Sequence, residues 1–101
     1  MKVRSIEEIR CVLREHIAEL SRKYRILSLE LFGSYVRGEQ KRSSDIDILV
    51  EFSQGRSPTL FSFIALEQEL TDLLGVKVDL VEKRTLKPGL RNRILHEAVP
   101  I

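Results

Sequence analysis

Two stretches decide the fold: residues 27–34 read Leu-Ser-Leu-Glu-Leu-Phe-Gly-Ser, and residues 45–52 read Asp-Ile-Asp-Ile-Leu-Val-Glu-Phe. In both, apolar side chains recur at every second position, which is the period of a β-strand. The first strand is predicted over residues 27–33, and a short helix is expected to begin at its end, at Gly33-Ser34. The second strand is predicted over residues 45–52. One of its faces carries Ile46, Ile48, Val50 and Phe52, and the other carries Asp45, Asp47, Leu49 and Glu51.

The sequence before these strands is typical of an amphipathic helix, predicted over about residues 5–23. Ser5 and Glu8 have the spacing of a capping box, in which each side chain reaches the other's backbone N–H. Apolar residues then recur at helical spacing, at Ile6, Ile9, Leu13, Ile17 and Leu20.

The sequence after the second strand predicts a turn, a second helix, a third strand and a last short helix. The turn is expected over residues 53–56. Ser57 is expected to cap the second helix, with Pro58 at its first position and Gly75 as its terminator. The predicted buried stripe of this helix is Leu60, Ile64, Leu70, Leu73 and Leu74. The third strand is predicted over residues 76–81, and the last helix starts near Pro88 and includes Leu90, Ile94 and Leu95.

This order, α-β-(α)-β-α-β-α, contains no repeats or linkers and predicts one domain over residues 1–101. The expected fold class is α/β (α+β), a small mixed β-sheet with helices packed mainly on one face.

Composition narrows the classes of function. The formal net charge of +2 is too weak to argue for a nucleic-acid partner. A single cysteine, Cys11, excludes an intrachain disulfide, so the reducing cytoplasm is the expected compartment. No run of about 18 apolar residues is present, and the N-terminus lacks the apolar segment of a signal peptide. No membrane partner is therefore expected.

Asp45 and Asp47 are the first candidate site residues. Carboxylates at positions i and i+2 of a strand point to the same face. Unpaired, they repel each other, and a divalent cation such as magnesium would supply the missing counter-charge. The alternative is a polar strand end exposed to water.

Asp79 occupies the same phase on the third predicted strand. If that strand lies beside residues 45–52, three carboxylates converge on one face. Such a group can hold two metal ions that stabilise the attacking and leaving oxygens of an in-line displacement. The alternative is a solvated strand residue.

Gly33-Ser34 closes the first strand and opens a helical turn. Free backbone N–H groups there suit a phosphate, glycine permits its close approach, and Ser34 adds a hydroxyl. The alternative is a plain turn with a helix N-cap.

The combined spacing is more specific than any of these parts. Leu31-Phe32-Gly33-Ser34, then ten residues, then Asp45-Ile46-Asp47 followed by Leu49-Val50, resembles the signature of the DNA polymerase β-like nucleotidyltransferase superfamily. More narrowly, nearly the whole chain resembles the minimal nucleotidyltransferases (MNT proteins), the antitoxin partners of HEPN-domain toxins. Tyr35-Val36-Arg37-Gly38 stands where this family has an x-Ala-Arg-Gly continuation, with Val36 replacing alanine. Three further matches are Ser44-Asp45, the third-carboxylate strand Val78-Asp79-Leu80-Val81, and the closing helix at residues 86–99.

The resemblance implies a role for each matching residue and the nucleotidyltransferase fold for the domain. Gly33 and Ser34 would bind the triphosphate. Asp45 and Asp47 would ligate magnesium. Asp79 would ligate a second magnesium ion and assist deprotonation of an acceptor hydroxyl.

Arg37 has two interpretations. It could belong to the nucleotide-binding set and neutralise phosphate charge, or it could pair with a carboxylate and fix the loop. Lys41 and Arg42 are interpreted as solvated loop charges.

The resulting hypothesis is a magnesium-dependent enzyme that moves a nucleoside monophosphate, AMP from ATP, onto an acceptor hydroxyl and releases pyrophosphate. The resemblance implies a tyrosine of a HEPN toxin as the acceptor, and hence an antitoxin role. The rival hypothesis is a non-catalytic antitoxin that neutralises its partner by binding and occlusion. A nucleic-acid modifying enzyme is a weaker alternative because no basic stripe with interleaved aromatic residues is present.

Overall fold

A four-stranded mixed sheet forms the centre of the molecule, which a computed structural model describes over residues 3–53 and 58–101. The strands are β1 (Ile26–Phe32), β2 (Ile46–Phe52), β3 (Val78–Glu82) and β4 (Val99–Pro100), in the order β3-β2-β1-β4. β1 is antiparallel to β2 and to β4, and β2 is parallel to β3. The predicted mixed sheet is confirmed.

The helices are α1 (Ile6–Tyr24), α2 (Ser34–Arg37), α3 (Leu60–Leu74) and α4 (Pro88–Glu97), with a 3-10 turn at Lys83–Thr85. The predicted order of elements is confirmed, including the short helix after Gly33 and the last helix starting at Pro88. The 3-10 turn and β4 are additions. β4 is only two residues long and contains a proline, so its sequence has no strand period to detect. In the described part of the chain, none of the helices is long and apolar enough to cross a membrane.

α1 begins as its capping box predicts, with one difference. The Ser5 side chain accepts a hydrogen bond from the Glu8 N–H at 3.2 Å. The Glu8 carboxylate accepts from the N–H of Arg4 at 3.3 Å, one residue earlier than in the standard box. The helix ends at Arg25, which adopts a left-handed conformation with φ 58° and donates its N–H to Ser21.

α1 and α3 pack against one face of the sheet and build the core with it. Because hydrophobic burial is the main favourable term in folding, this layer holds the strands in place. Its fully buried side chains include Ile9, Leu13 and Leu20 of α1, Leu66, Leu70 and Leu74 of α3, and Ile46, Ile48 and Val50 of β2.

The predicted start of α3 is wrong. The N-cap is Thr59, whose Oγ1 accepts from the Ser62 N–H at 3.1 Å, so Pro58 precedes the helix. Ser57, the predicted cap, lies outside the described residues, as does most of the predicted turn at residues 53–56. The predicted end is confirmed: Gly75 has φ 69° and donates its N–H to Thr71.

Three of the five residues in the predicted buried stripe of α3 pack in or against the core. Leu70 and Leu74 are buried together with Leu66, and Leu73 packs at the edge of the core. Leu60 and Ile64 are exposed to 72% and 52%. At about 100° per residue, these two positions fall outside the arc that the leucines of the second half share.

Within the predicted alternation of the first strand, Leu27 was assigned to the wrong face. The register between β1 and β2 shifts between Ile26 and Ser28, as in a β-bulge. Ile26 is therefore buried and Leu27 is 64% exposed, while Leu29 and Leu31 face the core as predicted.

Candidate active site

The site is built on the sheet face that α1 and α3 leave open. Ile46 and Ile48 point into the core, so Asp47 between them points to the opposite face. In the parallel pairing of β2 with β3, Asp47 is the register partner of Asp79. Asp45 comes one residue before β2 begins and two before Asp47.

The environment of Asp47 disfavours its ionised form. Burial, followed by the negative charges of Asp79 and Asp45, raises the pKa of Asp47 to about 6, while the nearby Arg37 opposes the rise. Among residues 3–53 and 58–101, none of the three aspartates forms a salt bridge. The three aspartates therefore carry negative charge that Arg37 offsets only in part, and an oxygen-liganded divalent cation would offset more of it.

The side chains of Asp45, Asp47 and Asp79 do not form a preorganised metal site. No group of three or more His, Cys, Asp or Glu side chains in the described parts of the chain is arranged to hold a metal ion. The donors have the chemistry that magnesium prefers, and Asp47 and Asp79 lie side by side on one face as predicted. Metal ligation by Asp45, Asp47 and Asp79 stays a prediction.

Gly33 is required where β1 meets α2. It is the N-cap of α2 and has φ 82°, a conformation that side-chain-bearing residues rarely adopt. A Cβ atom built on it would collide with the Asp47 carboxyl group, whose Cγ would lie at 2.9 Å. Glycine therefore lets the backbone of the turn approach Asp47 directly.

Arg37 pairs with two carboxylates, which matches the second of its two interpretations. Its Nη1 donates to Glu97 Oε1 at 2.6 Å, and its Nε donates to Glu39 Oε1 at 2.7 Å. The Arg37 side chain remains 47% exposed at its place on the rim of the site. Pairing in this state does not remove the first interpretation, in which Arg37 meets phosphate.

Glu97 is the site residue that the sequence did not reveal. Its second oxygen, Oε2, accepts the backbone N–H of Gly33 at 2.8 Å. Burial alone would raise the pKa of Glu97, but hydrogen bonds from Arg37 and Gly33 outweigh it and lower that pKa. This contact joins residues 64 positions apart, and a glutamate at the end of a helix gives no local signal of it.

A cavity of about 390 Å³ lies between the Gly33 turn and α4. Its lining combines both sides of the site: Phe32, Gly33, Arg37 and Asp47 from the sheet side, and Leu90, Arg93, Ile94 and Glu97 from α4. Ser34, Asp45 and Asp79 do not line it. Of the three candidate aspartates, the cavity therefore adjoins Asp47 alone.

Comparison with known proteins decides the family. A model of the nucleotidyltransferase domain family matches residues 13–101, which include every candidate site residue. The chain belongs to the nucleotidyltransferase domain family. The resemblance drawn from the Gly33-Ser34 and Asp45–Asp47 spacing is thus confirmed, as is the classification of this family member as a nucleotidyltransferase.

Three similar proteins make the family assignment more specific. Protein adenylyltransferase MntA of Thermococcus cleftensis is 46% identical over 99 residues, which are 98% of each chain. A solved structure provisionally named a minimal nucleotidyltransferase has 40% identity and a TM-score of 0.78, and the match covers 97% of both chains. A chain in the structure of a tri-AMPylated Shewanella oneidensis HEPN toxin with an MNT antitoxin has 25% identity and a TM-score of 0.64. That match covers 90% of this chain and 70% of the other.

Proposed function

We propose that this chain is a protein adenylyltransferase that moves AMP from ATP to a tyrosine hydroxyl of a cognate HEPN toxin and thereby acts as an antitoxin. The observation that carries the proposal is the pairing of Asp47 with Asp79 across β2 and β3, directly beside the Gly33 turn. Similarity to a protein adenylyltransferase along the whole chain supports the adenylyl group. The tri-AMPylated toxin bound to an MNT antitoxin supports the partner class and the modification.

The proposed reaction is a displacement at phosphorus. The acceptor oxygen attacks the α-phosphorus of ATP, the bond from that phosphorus to the bridging oxygen breaks, and pyrophosphate leaves. Asp79, the more exposed of the paired aspartates, is assigned to receive the acceptor proton. The Gly33 N–H, the Ser34 hydroxyl and Arg37 are assigned to the triphosphate, where their donors meet its negative charge.

Asp45, Asp47 and Asp79 are assigned to hold magnesium, with two ions expected when nucleotide is bound. Magnesium there would neutralise charge on the phosphates and on the leaving pyrophosphate. The negative charge around Asp47, which Arg37 offsets in part, is the feature of the chain that fits this assignment. The cytoplasm, where ATP and free thiols such as Cys11 occur together, is the proposed compartment.

A growth-rescue experiment with the cognate toxin separates the enzyme from its rival, a non-catalytic antitoxin. Asp47→Asn keeps the shape of the side chain and removes one charge from the site. The enzyme hypothesis predicts that cells carrying this variant are no longer protected, although the variant still binds the toxin. Asp72→Asn, the same change on the exposed surface of α3, should protect like the wild type. Full protection by Asp47→Asn would instead favour neutralisation by occlusion.

A further inference from the structure

Glu97 accepts hydrogen bonds from two groups that the proposed function assigns to the triphosphate. Its two oxygens accept from the Gly33 N–H at 2.8 Å and from the Arg37 guanidinium at 2.6 Å. A backbone N–H at a strand–helix turn and a guanidinium are both donors that commonly bind phosphate oxygens. We propose that Glu97 is an internal competitor of the nucleotide: its carboxylate fills the triphosphate site until ATP displaces it. This inference rests on the proposed function, since it concerns the same site.

The Gly33 N–H cannot serve both anions at once, because it is a single donor and Glu97 Oε2 already accepts it. Glu97 Oε1 also holds the Arg37 guanidinium by one N–H, so an incoming phosphate has to displace the glutamate to bind Gly33 and Arg37 together. The side chain is a quarter exposed, and the cavity of about 390 Å³ begins beside it. An entering polyphosphate therefore reaches Glu97 directly and can replace its hydrogen bonds one by one.

α4 is well placed to release the glutamate. None of its residues is fully buried, so moving its side chains removes little apolar surface from the core. The strand that follows, β4, keeps its pairing with β1 through Val99 and Leu31. Glu97 can thus swing away while the end of the chain stays attached to the sheet. Because Glu97 has to be displaced first, the net affinity for nucleotide is lower than it would be without this side chain.

The test measures affinity for inorganic tripolyphosphate in magnesium-containing buffer, because this probe has the phosphates without the base. Glu97→Gln keeps the size of the side chain but removes its charge. Its affinity should exceed that of the wild type by about tenfold, as expected when one charge-assisted pair of hydrogen bonds no longer competes. Glu39→Gln is the matched control. It also removes a carboxylate from Arg37, but one that does not touch Gly33, so its gain should be less than about threefold.

A second variant distinguishes the contacts of Glu97 with Gly33 and Arg37 from the effect of its negative charge alone. Glu97→Asp keeps the charge but is one methylene shorter, so it cannot reach Gly33 and Arg37 together. Competition predicts that it, too, binds tripolyphosphate more tightly than the wild type. In all forms the Gly33 amide resonance should move when tripolyphosphate is added.

Three results would overturn the inference. They are a Glu97→Gln affinity equal to or below that of the wild type, a gain matched by Glu39→Gln, and no measurable binding by either Glu97 variant. Failure of the proposed function looks different. In that case the wild type would not transfer AMP to the toxin, while the Glu97 variants could still gain affinity for tripolyphosphate.

Discussion

The surroundings of Asp47 favour the protonated form of its carboxyl group. Burial and then the charges of Asp79 and Asp45 raise its pKa to about 6, well above the value of about 3.9 expected in the unfolded chain. A raised carboxyl pKa means that folding is opposed when the group is ionised. That cost is absent below about pH 4, grows between pH 4 and 6, and is fully present at neutral pH.

Asp47→Asn should therefore stabilise the metal-free protein at pH 7.5 by about 1–2 kcal/mol. The gain should become small near pH 4, where the wild-type carboxyl is protonated in the folded state and about half protonated in the unfolded chain. Urea unfolding in a chelating buffer at the two pH values measures it, with Asp72→Asn controlling for the amide itself. A gain that does not change between the two pH values would contradict this electrostatic account.

Gly33 is constrained by its conformation and by its contact with Asp47. Gly33→Ala should cost about 2–4 kcal/mol of unfolding free energy, because the new methyl group meets the Asp47 carboxyl at an already unfavourable φ. Gly38→Ala is the matched control. Its φ is 72°, but no atom lies within 4 Å of the added Cβ, so only the conformational cost of about 1 kcal/mol applies. Equal losses in the two variants would show that Asp47 does not press on the turn.

At the scale of the elements, α3 depends on a cap that the sequence pattern did not single out. Thr59→Ala should lower the unfolding free energy by about 1 kcal/mol, because the Ser62 N–H loses its acceptor. Thr59→Ser retains the hydroxyl and should recover most of the loss. Thermal unfolding followed by circular dichroism compares the three proteins. A serine variant as unstable as the alanine variant would mean that the cap contributes little.

Element prediction worked where a periodic pattern lay next to clear end signals. α1 has Ser5 and Glu8 before its apolar stripe, and α3 ends at Gly75, so these ends followed from backbone chemistry. The start of α3 was predicted wrongly because Ser57, Pro58 and Thr59 all suit the first turn of a helix. The bulge after Ile26 was not predictable, since it depends on pairing with β2 rather than on β1 itself.

For the whole molecule, the site combines residues from distant parts of the chain. The faces of Asp47 and Asp79 could be predicted because the period of a strand fixes them, and parallel pairing of β2 with β3 then makes them neighbours. The role of Glu97 could not be predicted, because it arises only when α4 folds back over the Gly33 turn. The exposure of Leu60 and Phe61 at the start of α3 could not be predicted either, because it depends on how that helix is rotated against the sheet.

The negative charge of the assembled site predicts that nucleotide binding depends on magnesium. Three aspartates without salt-bridge partners in the described residues repel a triphosphate. ATP should therefore bind much more weakly in a chelating buffer than with magnesium, which calorimetric titration of the wild-type protein measures. Equal affinity in the two buffers would argue for a site of another kind.

The most direct measurement of the central claim is the mass of the cognate HEPN toxin after incubation with this protein, ATP and magnesium. With the wild type and with Asp72→Asn, the toxin should gain the mass of one or more AMP groups, and fragmentation should place the first on a tyrosine. With Asp47→Asn, the toxin should keep its original mass, because the paired carboxylates of β2 and β3 are incomplete. An unmodified toxin after incubation with the wild type, or equal modification by Asp47→Asn, would contradict the assignment of AMP transfer to this site.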